Sequence, residues 1–263
     1  MRSTGWRLSA EQWDVLTEAA RMQERYPSPI EVRAHGRTDL ERARVRDRVR
    51  AELEQAGLLR AGRVDPDLES ALHLLHRPSA WIDSVWLPGA ATDQPVRVLA
   101  ARNGFTAVCA QQRPAEPGAT LLEVIPAGSL VAAVVGRLPA QPPGRRPAVM
   151  VPLDVPVTPR RDGSVLVPAS VSASRGERER SAAAAILDAA HPRAGQIAAN
   201  VRDPSGKVHR STVLRWCDND GDGRYHVTVT RQRDGHEWLA VSPSDAQRLG
   251  EGVQRLLASL APR

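Results

Sequence analysis

Lysine is almost missing from this chain. Lys207 is the only one, so arginine supplies nearly all of the 36 basic side chains. Arginine in place of lysine, with abundant Ala, Pro and Gly, is the mark of a GC-rich coding bias. The net charge of +6 and the pI near 10.4 are therefore weak grounds for an acidic partner. Aromatics are scarce too, six Trp, two Tyr and one Phe, and they do not interleave with basic residues as a single-strand binder requires. Only Cys109 and Cys217 carry thiols; far apart and in apolar, strand-like contexts, they read as buried thiols rather than a disulfide or metal pair. No apolar run approaches the roughly 20 residues that span a bilayer. "MRSTGWRLSAEQWDVL" lacks the apolar core of a signal peptide, so the expected compartment is the cytoplasm, with no membrane insertion. Catalytic signatures are missing as well. There is no P-loop and no G-x-S-x-G elbow, and "HEWLA" lacks the second histidine of a zinc protease motif.

What is present suits one large domain or two closely packed halves: 263 residues, 41% of them hydrophobic. Ser9-Ala10-Glu11-Gln12 is a capping box opening a helix through Trp13, Leu16 and Ala20. "YPSPIEVRAHG" reads as an extended strand ending at Gly36. Thr38-x-x-Glu41 opens a second helix along Val45, Val49 and Leu53, and Asp65-Pro66 a third along Leu68, Leu72 and Leu75. From Ser79 the period becomes that of strands: residues 80–87, 95–101, 105–112 and 119–125, with Asn103-Gly104 as a hairpin turn, then a helix over 126–138. Eight prolines between 139 and 168 keep that connector out of any central strand, though it leaves room for edge strands. A helix over 177–191 leads into a second meander: 195–203, 207–218, 223–232 and 236–242, with Asp234-Gly235 as another turn. Ser242-Pro243 starts a last helix. The expected architecture is α+β, a central antiparallel sheet from two quasi-two-fold-related halves. The halves are about 1–138 and 176–263, joined by connector 139–175 within a single domain 1–263.

"DNDGDGRYH" looks like a calcium loop, with Asp218, Asp220 and Asp222 spaced as ligands and Gly223 behind them. An EF-hand would then need an acid where Val229 stands, and flanking helices where β-runs stand. The stretch reads as a hairpin turn, with weak incidental calcium binding left open. His73 and His76 lack a third ligand nearby and read as solvated helix histidines. The arginines at 42, 44, 46, 48 and 50 spread around a helix and read as a solvated charged face rather than a DNA-reading one. A hydrolase built on His35 or His226 has no motif behind it.

The order of features resembles the EspG family of ESX (type VII) secretion-associated proteins. The opening "LSAEQWDVL", the His-Gly-x-Thr-x-x-Glu-Arg segment at 35–42 and "AGLLRAGRVDPDLESALHLLHRP" are similar to its first half. The Trp-x-Asp and Asp-Gly-Arg-Tyr turn within 195–245 is similar to its second. The resemblance implies a cytosolic chaperone, no enzyme and no cofactor, that binds the apolar helical tip of a PPE-like protein in a PE–PPE heterodimer, keeps it soluble and directs it for secretion. It also implies flanking helices and a C-terminal helical bundle, working as a monomer or weak dimer without nucleic acid. The partner-binding residues it suggests are Trp86, Leu87 and Pro88 of the loop "WLPGAATDQP", with Asn200, Arg202, Arg210 and Arg215 as outward positions of the second meander. Trp86 reads equally as an interface anchor and as a core tryptophan. The alternative function is a basic nucleic-acid-binding module, whose binding would weaken steeply with salt.

Overall fold

The computed structural model describes residues 5–22, 26–89, 92–153, 158–159, 165–166, 171–231 and 236–260. The chain opens with strand β1 (Gly5–Leu8) and helix α1 (Ala10–Ala19), whose capping box is formed as expected: Ser9 Oγ accepts from Gln12 N, and Gln12 Oε1 accepts from Ser9 N. Helix α2 (Asp39–Gln55) is capped by Thr38, and a small hairpin, β2 (Leu59–Arg60) and β3 (Arg63–Val64), leads to helix α3 (Pro66–His76), capped by Asp65. The first meander is β4 (Ala80–Leu87), β5 (Val96–Asn103), β6 (Thr106–Gln112) and β7 (Thr120–Pro126), followed by the short helix α4 (Leu130–Val135). Within the connector lie β8 (Val149–Pro152), β9 (Thr158–Pro159) and β10 (Val165–Leu166), then helix α5 (Val171–Leu187). The second meander is β11 (Arg193–Arg202), β12 (Val208–Arg210), β13 (Leu214–Asn219), β14 (Gly223–Arg231) and β15 (Glu237–Pro243), closed by helix α6 (Ala246–Ala258).

Eleven strands form one antiparallel sheet in the order β1-β7-β6-β5-β4-β11-β13-β14-β15-β8, with β12 added on β11. The two meanders meet at β4 and β11, paired from Leu87↔Ala194 to Ala80↔Val201. Outward from that seam each half runs through its own meander in chain order. Each then ends on a strand that precedes the meander in sequence, β1 on one side and β8 on the other.

Alternation along the strands divides the core. On one face Trp81, Leu99, Ala101, Val108 and Leu122 pack with α1, α2 and α3. On the opposite face Ile82, Val98, Cys109, Ile197 and Trp216 pack with Leu130 and Val134 of α4 and Leu249 and Val253 of α6. Cys217, Tyr225 and Val241 point back to the first face, where they meet Ala183 and Ile186 of α5. Both thiols are free and buried, and burial pushes Cys109 up to about 12 and Cys217 up to about 11, so neither is a ready nucleophile.

Several expectations are corrected. "YPSPIEVRAHG" forms no strand; its two prolines leave it as irregular chain packed on the core through Tyr26 and Ile30. The arginines of α2 are not simply solvated. Arg42 binds Asp14 and Glu18, Arg46 binds Glu18, and Arg48 binds Glu11 and Glu52, so these three clip α2 to α1, while Arg44 and Arg50 are exposed as expected. His76 is half-buried against the Tyr26 ring, 5.4 Å between centroids. The last helix is capped by Asp245, whose Oδ1 accepts from Arg248 N at 2.9 Å, not by Ser242-Pro243. Where a C-terminal bundle was expected, the described residues hold α6 alone after the last strand, lying beside α4. The turn at Asp234-Gly235 lies outside the described residues.

Arg224 ties the connector to the sheet. It is 1% exposed, donates to both oxygens of Asp218 at 2.6 and 3.0 Å and to the Pro139 carbonyl at 2.9 Å, and lies 4.5 Å over the Trp216 ring. Its backbone also bonds Pro142 and Gly144. Arg224→Ala should cost about 3 kcal/mol in urea unfolding, the low end for breaking a buried pair, because the buried Asp218 carboxylate keeps Arg193 as its remaining cation. The joint replacement Asp218→Leu/Arg224→Met should cost less; an equal loss would show that packing, not the half-paired charge, sets the penalty.

Candidate partner-binding surface

The sheet has two ends along the strand direction, and the β4–β5 loop projects from one of them. At that end Trp86 turns toward the α4–α6 face and is 7% exposed, its ring 6.0 Å from that of Trp216. Opposite Trp86 across the seam stands Gly195. A Cβ there would lie 2.4 Å from Trp86 Cβ and 3.0 Å from Trp216 Nε1, so only glycine lets the two tryptophans close over the seam.

The next residue points the other way. Leu87 is 44% exposed, and Pro88 beside it is half-buried. With Val85, Asp93, Pro95, Gln196 and Arg215, Leu87 borders a shallow hollow of about 380 Å³ on the first face, and Pro88 follows it into the loop. Arg215 is exposed and has no carboxylate within ion-pair distance among the described residues. A larger cleft of about 570 Å³ adjoins it past Asp93 and Pro95. There Glu31 is held between Arg97 at 2.7 Å and Arg33 at 3.2 Å, so its charges are largely matched. The hollow thus offers an apolar lip with the Arg215 guanidinium and the Asp93 carboxylate at its margin, which suits a protein segment carrying apolar side chains and polar groups that can pair with them.

The seven residues singled out from the sequence fall into two groups. Trp86, Leu87, Pro88 and Arg215 gather at this end, with Trp86 in the core rather than on the surface. Asn200, Arg202 and Arg210 stand toward the far end of β11. Asn200 is corrected from outward to buried, 2% exposed, because Arg210 on β12 folds over it. Its Nδ2 donates to Asp83 Oδ2 at 2.7 Å, and Arg210 grips the Asp83 carboxylate with two bonds of 2.6 and 3.0 Å. Asp83 was not foreseen, although an aspartate inside the apolar run "AWIDSVWL" signals a buried pair. Val85 and Gln196 were missed too; each follows from two-residue alternation once Leu87 and Ala194 are known to pair.

The acidic loop is a hairpin. Asn219 pairs Gly223, Asp218 takes Arg224 and Arg193, and Asp222 accepts from Tyr225 Oη at 2.7 Å and from the Arg145 amide. The carboxylates of Asp218 and Asp222 are turned to separate partners, and among the described residues no group of three His, Cys, Asp or Glu side chains is placed to hold a metal. Burial pushes the His226 pKa down, beside Arg255 and Arg248 of α6. No helix among the described residues is long and apolar enough to cross a membrane.

Comparison with known proteins places this geometry. A family model described as the EspG family matches residues 9–255. The fold is similar to that of the Mycobacterium tuberculosis type VII secretion system chaperone EspG5, solved in complex with the PE25–PPE41 dimer. The TM-score is 0.67 at 17% identity, covering 96% of this chain and 95% of that one. The tesB protein of Mycobacterium avium subs paratuberculosis aligns over 70% of this chain and 88% of its own at 14% identity; its TM-score of 0.19 carries no argument. No curated protein matches the chain.

Gly195→Ala should force Trp86 and Trp216 apart and cost about 1–3 kcal/mol, with a shifted tryptophan emission. Leu87→Ser should stay within about 0.5 kcal/mol of the parent. Thermal unfolding read by fluorescence separates the two, and equal stabilities would remove the claim that Gly195 is sterically required.

Proposed function

Because the chain belongs to the EspG family, we propose that it is a cytosolic type VII secretion chaperone. Its client is the apolar helical tip of a PPE-like protein paired with a PE-like partner, which it keeps soluble and directs to its secretion machine. The observation that carries this reading is the family match across almost the whole chain, 9–255. The likeness in fold to EspG5, which was solved with the PE25–PPE41 dimer, supports it.

The task is binding without a reaction. A helical hairpin whose tip exposes apolar side chains self-associates, and covering it removes that area from water at about 25 cal/mol per Å². A footprint of about 1,600 Å² in total suffices for a specific complex. We assign the client contact to Leu87, Pro88 and Arg215 around the open hollow. Trp86 sits beneath as a support, and Asn200 and Arg210 serve the seam rather than the client. We also read the halves 1–138 and 176–263 as pseudo-repeats of one domain joined by 139–175. The matching strand order on either side of the β4–β11 seam supports this.

Co-expression with a PE–PPE pair from the same organism should yield one soluble ternary complex on size exclusion. Leu87→Asp should weaken retention about 10- to 30-fold, the loss expected of a central apolar contact turned into a buried charge, with unfolding unchanged. Retention of no PE–PPE pair by the parent protein would sink the chaperone reading. Full retention by Leu87→Asp would move the contact elsewhere on the molecule.

A further inference from the structure

The opposite end of the sheet is built as a second rim. It consists of the corner Arg77-Pro78-Ser79, the tip of the β5–β6 hairpin and the β11–β12 hairpin. The Ser79 amide donates to Asn103 Oδ1 and to the Arg102 carbonyl, Asn103 Nδ2 donates to the Arg77 carbonyl, and the Arg202 amide donates to the Ser79 carbonyl. Arg202 reaches the carbonyls of Pro78 and Gly206 from above the Trp81 ring, and the Arg77 guanidinium lies 4.0 Å from where a Gly206 side chain would begin. In the second hairpin Asp203 accepts from Ser205, from the Lys207 amide and from His209 Nε2 at 2.8 Å. The Ser205 hydroxyl first, then His209, holds its carboxyl well below the usual range. The rim is tied together by hydrogen bonds throughout.

Two features of this rim serve nothing in the fold. Phe105, the only phenylalanine of the chain, is 100% exposed at the hairpin tip, where burial would be worth about 1.5–3 kcal/mol. Val208 on β12 is 42% exposed as well. Around them stand Arg77, Arg102, Arg202 and Lys207, none with a carboxylate in ion-pair reach among the described residues. From β5 to β12 is three strand spacings, about 14 Å, and from here to Leu87 is the length of β4, about 25 Å. The patch fits a small interface and does not overlap the client hollow.

We propose that this rim docks an acidic protein segment, with Phe105 as its apolar anchor and Arg77, Arg102, Arg202 and Lys207 reading its carboxylates. A single aromatic rather than a row of stacking platforms favours protein over nucleic acid. Charge complementarity favours an acidic partner, since four cations without acids in ion-pair reach among the described residues stand on the same rim as Phe105. Client at one end and acidic partner at the other make the chain a two-ended adaptor.

The test places the photo-crosslinker p-benzoyl-phenylalanine at position 105 of the full chain in its native host, with the same probe at Gln247 as a control. The expected result is a crosslink at 105, not at 247, to a protein segment dominated by Asp and Glu. Arg77→Glu/Lys207→Glu should lower its yield at least about fivefold, while PE–PPE retention changes less than about twofold. Crosslinks only to nucleic acid, only to the PE–PPE pair, or of a yield indifferent to the charge reversal would each overturn the proposal. Because client retention is read separately, failure here leaves the chaperone reading standing.

Discussion

The pairing of β4 with β11 is the constraint on which the rest of the molecule depends. Among the described residues it is the one place where the two meanders touch as sheet, and eight register pairs cross it. Side chains pack against both faces of β4, so a slip of one residue would exchange the two cores. The Asp83–Asn200–Arg210 cluster forbids that slip. Burying a carboxylate costs several kcal/mol unless it is paired, and well-packed apolar residues would hold the strands as firmly. What the cluster adds is register. Moved one residue along, Asp83 would face the Ile82–Ile197 core with no cation in reach.

That register fixes both ends of the sheet at once. Toward Leu87 it sets Gly195 against Trp86, which lets the tryptophans close one face and turns Leu87 to the other. Toward Ala80 it sets Arg202 over Trp81 and brings the Arg77–Ser79 corner between two hairpins. The helices divide accordingly. α4 and α6 meet over the seam on one face, whereas α1–α3 and α5 cover the two outer parts of the other. Between them the strip of Val85, Gln196 and Arg215 stays open. An open strip at the centre of a rigid sheet can cover another protein's apolar tip without reorganising, which spares the cost of ordering a loop on binding.

Much of this was legible in the sequence, for local reasons. Capping residues at Ser9, Thr38 and Asp65 set helix starts because each oxygen satisfies amides that no other group reaches. Asn103-Gly104 set a hairpin because Gly104 takes a left-handed φ of 56°. What could not be read was set by partners distant in sequence. The fate of Asn200 depended on β12 doubling back across β11, and that of Trp86 on a glycine 109 positions away. The arginines of α2 looked like a solvated face because their acids, Glu11, Asp14 and Glu18, belong to another helix. The acidic loop was legible as a hairpin, but the taking up of Asp218 by Arg193 and Arg224 was not, because those side chains do not announce their direction in the sequence.

The same accounting explains why a pI near 10.4 misleads. Arginine's planar fork pairs carboxylates at two points and is weakly hydrated, so it can be spent inside a fold where lysine could not. Arg224 at 1% exposure and the two-point grip of Arg210 on Asp83 are such uses. Once paired, these charges contribute little field at the surface. Unpaired basic side chains bind nucleic acid by counterion release alone, so each arginine taken up by an acid within the fold lowers that background.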